Sequence, residues 1–409
     1  LNIGEEIKMK QKWITRREFI WQSTSATSAL IISGAVAGCT SLIRGKESAR
    51  SEKRSAPGGR RHYKTFSEGV MGSMRLKNRL VRSATMIAAA SRGKPTDKYI
   101  SMYKDLAEGG IGMIITGFMI PTEEDARYSQ QMFIYDNEHI PGLRRVADEI
   151  HRADGMCRIV AQIGHSGETV SPSGIRWPFP WKRQGRALST KEVEGIVTDF
   201  AEAIRRVKES GFDGVELHGA HAYLLSSFLS PVTNRRKDKY GGSLEKRVHI
   251  IREIMDQARR LVGSDFPILI KLNSDDNIEG GIKPDNFPAL AREIVKTGID
   301  AIDVSGNDCL KTGISSIEEE TYFLKGAEVL DVKVPIMVTG GNRTVEHLES
   351  ILQKGEVDFF GLARPLIREP DLPDRWLEGR GGDRCRCIDC NGCFGVIMRG
   401  ETTYCVQEV

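Results

Sequence analysis

Gly211-Phe-Asp-Gly-Val-Glu-Leu-His218 closes a helical pattern, opens a short apolar run and stops at an imidazole. Three other stretches share its plan: Gly110-Ile-Gly-Met-Ile-Ile115, Gly298-Ile-Asp-Ala-Ile-Asp303 and Gly355-Glu-Val-Asp-Phe-Phe360. A glycine at a helix end supplies the left-handed backbone that stops it. The apolar runs that follow suit parallel strands buried on both faces. Working outward gives eight strand candidates: Leu80–Thr85, Met113–Thr116, Arg158–Ile163, Gly214–Leu217, Ile268–Leu272, Ala301–Val304, Ile336–Thr339 and Asp358–Leu362. Helical patterns lie between most of them. Ser189-x-x-Glu192 is a capping box opening the amphipathic one that runs to about Glu209. Strands alternating with helices imply a parallel sheet. Eight pairs in about 300 residues point to an α/β fold, a (β/α)₈ TIM barrel with a short Cys-rich C-terminal extension. The alternative is a doubly wound sheet, but no Gly-x-Gly-x-x-Gly follows any strand.

In such a barrel the active site lies at the C-terminal strand ends. Those ends are polar here. They carry Ser83-Ala84-Thr85, Gln162 leading into His165, His218, Lys271 with Asn273, Ser305-Gly306, Gly340-Gly341, and Gly361 with Ala363-Arg364. A barrel filled only for stability has no need of them. Gly340-Gly341 lets backbone N–H groups approach an anion, and Arg364 can pair with its oxygens. The loops after strands seven and eight are a common phosphate site.

After strand four comes a dense run: His218-Gly-Ala-His221-Ala-Tyr223, then Asn234-Arg235, Asp238 and Tyr240-Gly-Gly-Ser243, ending at Arg247. Two imidazoles and a phenol emerge together. They can hold an electronegative atom and place a proton beside it. Either His218 or Tyr223 alone would be read as a satisfied core residue; their shared strand end favours a site. Asn234, Arg235, Asp238 and Tyr240 are read as loop braces, with contact to a cofactor or electron donor the alternative for Asn234 and Arg235, and Ser243 as the next helix cap. Trp177, Phe179 and Trp181 either cap the pocket or pack.

This run closely resembles the signature of the old yellow enzyme family, the FMN-dependent ene-reductases and their dienoyl-CoA reductase relatives. Asn78-Arg79-Leu80-Val81, Ala161-Gln-Ile-Gly-His-Ser-Gly167 and Gly361-Leu-Ala-Arg-Pro-Leu-Ile367 resemble further motifs of that family in order, over roughly residues 64–375. The resemblance implies FMN, bound non-covalently. It implies Gln162 at the flavin pyrimidine edge and Lys271 near N1 of the reduced, anionic flavin. Ser83, Ala84, Thr85 and Gly117 would meet the ring. Gly340, Gly341, Gly361, Ala363 and Arg364 would hold the phosphate. His218 and His221 would grip the carbonyl oxygen of an α,β-unsaturated substrate, and Tyr223 would protonate its α carbon. Electrons would come from NAD(P)H or a redox partner protein. A rival reading makes Lys271 the Schiff-base lysine of a barrel lyase.

Of eight cysteines, five (Cys385, Cys387, Cys390, Cys393, Cys405) crowd the C-terminal segment. A disulfide framework would spread them out, so clustering suggests a metal site. Cys387-x₂-Cys390-x₂-Cys393-x₁₁-Cys405 resembles the four-iron cluster segment of dienoyl-CoA reductases and trimethylamine dehydrogenase, with one residue fewer between the second and third Cys. A [4Fe–4S] cluster is the expectation, zinc the alternative, and Cys385 a spare ligand. A cluster would make the chain a dienoyl-thioester reductase or an amine dehydrogenase or demethylase fed by a partner protein. Cys157 and Cys309 are read as inert core thiols.

The net charge of the 409 residues is +4, yet residues 1–64 hold 13 Lys/Arg against 5 Asp/Glu. The remainder is therefore slightly acidic, which argues against nucleic-acid binding. Thr15-Arg16-Arg17-Glu18-Phe19-Ile20 matches a twin-arginine export motif, with Met9 the expected start, and a short, weakly apolar run follows. Val36-Ala37-Gly38-Cys39 resembles a lipoprotein box, with Cys39 the candidate lipid anchor. The expected plan is a leader at 1–39, a flexible linker at 40–63, the FMN-binding barrel at 64–380 and the Cys-rich segment at 381–409. Export places the protein outside the cytoplasm; a basic cytoplasmic tail is the alternative, and an exported, non-catalytic binding protein the third rival.

Overall fold

The computed structural model describes residues 60–179 and 185–408. The leader, most of the linker and Trp181 lie outside the described residues. Eight strands form a closed, all-parallel barrel: β1 (Leu80–Arg82), β2 (Met113–Ile115), β3 (Arg158–Ile163), β4 (Gly214–Gly219), β5 (Ile268–Asp275), β6 (Ala301–Gly306), β7 (Ile336–Thr339) and β8 (Phe359–Leu362). Each pairs with its neighbours in sequence, and β8 closes onto β1 through Phe360↔Leu80. All eight candidates are strands. β1 stops at Arg82, so Ser83–Thr85 is loop; β4, β5 and β6 run further than expected, the last two held together to Asp275↔Gly306.

The repeated plan has a physical cause. Gly110, Gly211, Gly298 and Gly355 have φ of 88°, 82°, 86° and 83°. The aspartates that follow three of them pin strand starts. Asp213, Asp300 and Asp358 accept the N–H groups of Ile159, Ile268 and Ile336 at 2.8, 2.7 and 2.9 Å. Each carboxylate thus fixes its own strand beside the start of the preceding one. Where the plan has Gly112 instead, a side chain would collide with Asn78.

Helices α1 (Asp97–Glu108), α2 (Ile140–Ala153), α3 (Thr190–Glu209), α4 (Leu224–Leu229), α5 (Leu244–Val262), α6 (Phe287–Val295), α7 (Leu324–Glu328) and α8 (Val345–Lys354) follow the strands. Ser189 and Glu192 form the expected capping box, and Ser243 caps α5. Outward strand residues such as Leu217, Ile270 and Ile302 join the helices in one large core.

Inward residues form two unlike layers. Toward the strand starts, Val81, Met113, Leu269, Ala301, Met337 and Phe359 pack with Met71, Met74 and Leu76 of an N-terminal hairpin. Above them the interior turns polar. Past β8 come α9 (Pro365–Arg368), α10 (Leu372–Leu377) and the cysteine tail with α11 (Gly392–Met398). The tail is bound to the barrel: Cys385 N–H donates to Arg343 O at 2.8 Å and Thr403 N–H to Ile87 O at 2.9 Å. No helix among the described residues is long and apolar enough to cross a membrane.

Candidate active site

His218 is the penultimate residue of β4, and the chain then turns through His221 and Ala222, whose φ values are 58° and 59°. Left-handed backbone at two successive non-glycine residues is strained. It is braced: His221 N–H donates to Asn273 Oδ1 at 3.0 Å, and His221 Nε2 is 2.8 Å from Ser305 Oγ. The turn brings the three candidate catalytic rings together. His218 and His221 lie 5.1 Å apart at 85°, and His218 and Tyr223 lie 4.7 Å apart. Phe118, not singled out in the sequence, packs on both, 5.6 Å from His218 and 4.9 Å from Tyr223. Gly164 permits this crowding, since a Cβ there would stand 3.0 Å from the Phe118 ring. Burial pushes the Tyr223 phenol well above its usual range, so it stays protonated.

Beneath the rings lies a charged layer. Gln162 Nε2 donates to Glu216 Oε2 at 2.5 Å. Lys271 is ion-paired with Asp303 and stands 3.9 Å from Glu216 Oε1 and 3.4 Å from Ser83 Oγ. Burial lowers the Lys271 ammonium, and Glu216 opposes that shift. Glu216 and Asp303 were missed by the sequence reading. The signal was present: each stands two residues before a recognised strand-end residue, His218 or Ser305, and so faces inward as well.

The other expected cofactor residues ring this centre. Thr85 Oγ1 donates to Ser83 O at 2.9 Å, and Gly117 N–H donates to the Tyr103 hydroxyl at 3.0 Å. Ala84 is half-buried against the inner apolar layer. Gly340 and Gly341 have φ of 151° and 73°, and a Cβ on either would enter the Phe323 or Tyr322 ring. A side chain at Gly361 would strike Thr339 Oγ1. Ala363 O accepts from the buried Arg82 guanidinium. Arg364 stands between loop eight and the tail, donating to Asn391 Oδ1 at 2.6 Å and lying 3.3 Å from Asp389. Cys157 is buried as expected. Cys309 lies on the loop after β6 outside the apolar core, partly exposed as a residue but with its thiol buried within electrostatic reach of Tyr223 and Lys271. Trp177 is a packing residue, its Nε1 donating to Ser227 Oγ at 2.7 Å. Asn234 braces its loop through Phe228 O and Tyr240 O.

These residues fit the expected flavin. Glu216 Oε1, Asp303 Oδ1 and Thr339 Oγ1 are buried without a hydrogen-bond partner among the described residues. Buried polar atoms ordinarily have one. A ring system edged with N–H and C=O groups is of the chemistry these atoms lack.

The tail forms a second candidate centre. Cys387, Cys390, Cys393 and Cys405 line one cavity together with Arg364, Asp389 and Asn391. Cys385 is not part of that lining and is buried in the large apolar core. Among the described residues no three His, Cys, Asp or Glu side chains are gathered tightly enough to hold a single ion.

Residues 66–382 match the sequence profile of the NADH:flavin oxidoreductase / NADH oxidase family. A metal reductase of Desulforamulus reducens is 33% identical over 357 residues, covering 83% of this chain and 53% of that protein. A 4,4'-dithiodibutanoate disulfide reductase of Rhodococcus erythropolis is 29% identical over 387 residues, covering 83% of this chain and 94% of that protein. A solved 2-naphthoyl-CoA reductase, in complex with 2-naphthoyl-CoA, superposes with a TM-score of 0.77 at 27% identity, over 84% of this chain and 56% of that one. The chain thus spans about half the length of the metal reductase and of the naphthoyl-CoA reductase. With its closed eight-stranded barrel and this match over most of its length, the chain belongs to the NADH:flavin oxidoreductase / NADH oxidase family.

Proposed function

We propose that the chain is an FMN-dependent oxidoreductase of the old yellow enzyme type that reduces an electrophile with an activated C=C bond. The observation that carries this reading is the convergence of His218, His221 and Tyr223 above Gln162 and Lys271. FMN, when bound, would supply the hydride. His218 and His221 bind the carbonyl oxygen through ring N–H groups, which draws electron density from the conjugated β carbon. Tyr223, kept protonated by burial, gives its proton to the α carbon. Gln162 and Lys271 hold the pyrimidine edge; Gly340, Gly341, Ala363 and Arg364 hold the phosphate. The donor is NAD(P)H or a redox protein.

The tail favours the second donor. Four cysteines lining one cavity beside Arg364 supply the four thiolates that a [4Fe–4S] cluster takes, with zinc the alternative. The relatives' names, a disulfide reductase, an aryl-thioester reductase and a metal reductase, support a broad electrophile class for this fold. Twin-arginine export with lipidation at Cys39 completes the proposal. Fractionation of cells carrying Arg16→Lys with Arg17→Lys tests it: the protein should shift from the envelope to the cytoplasm, and an unchanged distribution refutes export.

The central test is an anoxic visible spectrum of the purified chain with iron and zinc assays on the same sample. Flavin bands with about four irons per chain mean a cluster-fed enzyme. Flavin without iron means a simpler ene-reductase. A protein that stays colourless after incubation with FMN refutes the reading.

A further inference from the structure

Glu216 stands one layer below His218 on β4, and both face the barrel interior. Its register partner on β3 is Gln162, while Lys271 and Asp303 are register partners on β5 and β6. The side chains of Glu216 and Asp303 are fully buried, and that of Lys271 is 2% exposed. Two carboxylates therefore share one ammonium in a dry interior. Ser83 and Gln162, the other polar neighbours, carry no charge. Ile115, Thr339 and Gly361, which face inward from β2, β7 and β8, carry none either. Cys309, beyond Lys271, is pushed up to about 11 by burial and stays a neutral thiol.

With both carboxylates ionised the layer would hold an uncompensated negative charge, which a buried site tolerates poorly. The contacts show which carboxylate keeps the ammonium. Asp303 is in direct ion-pair contact with Lys271 Nζ, whereas Glu216 Oε1 stands off at 3.9 Å with no hydrogen-bond partner among the described residues. A proton on Oε1 turns that orphan acceptor into a donor, and Asp303 Oδ1 is an acceptor without a donor in the same layer. Burial is also the largest influence on the Glu216 carboxyl, and it acts upward.

We propose that Glu216 is a positioning residue that keeps its proton in the resting site and, through Lys271 and Gln162, sets the charge presented to the cofactor's pyrimidine edge. This rests on the FMN reading above. With Glu216 protonated, the Lys271–Asp303 pair leaves the layer neutral, and an anionic reduced cofactor meets an ammonium whose field is not reversed. With Glu216 ionised, the layer is negative and opposes reduction. Glu216 holds its proton throughout and transfers none, so the electron and proton balance of the hydride step is unchanged.

The test is the pH dependence of the flavin midpoint potential in the full-length holoprotein, from about pH 6 to 10, with infrared detection of protonated carboxyl groups in the same proteins without flavin. The wild type should show a downward bend in potential where Glu216 ionises. Glu216→Gln should remove that bend. Asp303→Asn should move it to lower pH by a unit or more, because Lys271 is then left to Glu216 alone. At neutral pH the wild type should show a protonated-carboxyl stretch that Glu216→Gln lacks and Asp303→Asn weakens. A bend unchanged in Glu216→Gln, or a carboxyl stretch unchanged in both variants, overturns the proposal. A wild type that takes up no FMN sinks the FMN reading instead, and the infrared comparison still judges the proton on Glu216.

Discussion

Asn273→Ala tests the idea that strand five aims the substrate-binding imidazoles. His221 and Ala222 are held at φ of 58° and 59°. Left-handed backbone costs about 1–2 kcal/mol for each such residue, so the turn stores about 2–4 kcal/mol. One of the contacts opposing its release is the 3.0 Å bond from His221 N–H to Asn273 Oδ1. Asn273 is itself fixed, its amide donating to Ser226, Asp276 and Asn307 at 3.2, 3.0 and 2.9 Å. Because His221 is only half-buried, water can replace the lost acceptor, so truncation should cost about 1–1.4 kcal/mol at this turn. That is about a five- to tenfold loss of correctly aimed His221. The assay is titration of the FMN-loaded protein with a phenolic ligand, followed in the flavin absorbance. Phenol affinity should fall about five- to tenfold while flavin stays bound. His221→Asn should lose less than His221→Ala, since asparagine accepts the left-handed conformation more readily. Wild-type phenol affinity in Asn273→Ala would refute the reasoning. Loss of flavin along with phenol would show that Asn273 supports the whole strand end.

Further tests address chemistry and stability. His218→Ala combined with His221→Ala should weaken phenol binding and leave FMN in place; unchanged phenol affinity would remove both residues from the substrate site. Tyr223→Phe should slow substrate reduction by about 10²–10⁴-fold and spare flavin reduction, and equal slowing of both half-reactions would exclude an acid role. Asp300→Ala leaves the buried Ile268 N–H without its acceptor and removes the carboxylate that Arg259 pairs with, and should lower unfolding stability by about 2–3 kcal/mol in denaturant titrations. The exposed Asp265→Ala is the control, with an expected change within about 0.5 kcal/mol. The Asp213 carboxylate raises the His151 pKa. The pair therefore stabilises the fold fully below the unfolded histidine pKa and loses that contribution as pH rises through the folded value. His151→Gln should accordingly be less stable than wild type near pH 5.5 and equal to it by about pH 9; a gap that grows with pH would contradict the pairing.

The barrel was legible because its punctuation is local. Each repeated glycine needs only its own φ, and Asp213, Asp300 and Asp358 reach only to the adjacent strand start. Strand ends were less legible. Ser83–Thr85 lies past the last register pair of its strand, Leu362↔Arg82, whereas β5 and β6 extend each other through a pairing between residues distant in sequence. The rings at His218, His221 and Tyr223 were readable because one strand and its turn carry all three. Glu216 and Asp303 were concealed within runs that looked like plain apolar strands, though period-two alternation from His218 and Ser305 points to both. The approach of Arg364 to Asn391 was beyond local reading, because the partner arrives 27 residues later from a segment without strong periodicity.

The interior of this barrel separates two tasks along one axis. Methionines, leucine and phenylalanine fill the lower layer and supply the apolar burial that favours the closed fold. The layer above exchanges that burial for Gln162, Glu216, Lys271 and Asp303, a set that a barrel built only for stability would replace with aliphatic side chains. Its retention is explicable if the charge there is used. The same reasoning extends to the tail. Arg343 follows the Gly340-Gly341 turn, Arg364 follows β8, and both converge on Asp389 between Cys387 and Cys390. Arg343 also donates to Cys387 O. The two loops expected to hold phosphate are therefore tied to the cysteine cavity by one carboxylate and two guanidinium groups. Removal of Asp389 would leave two largely buried cations without their shared anion, so the geometry of the phosphate loops and that of the cysteine cavity depend on the same contacts.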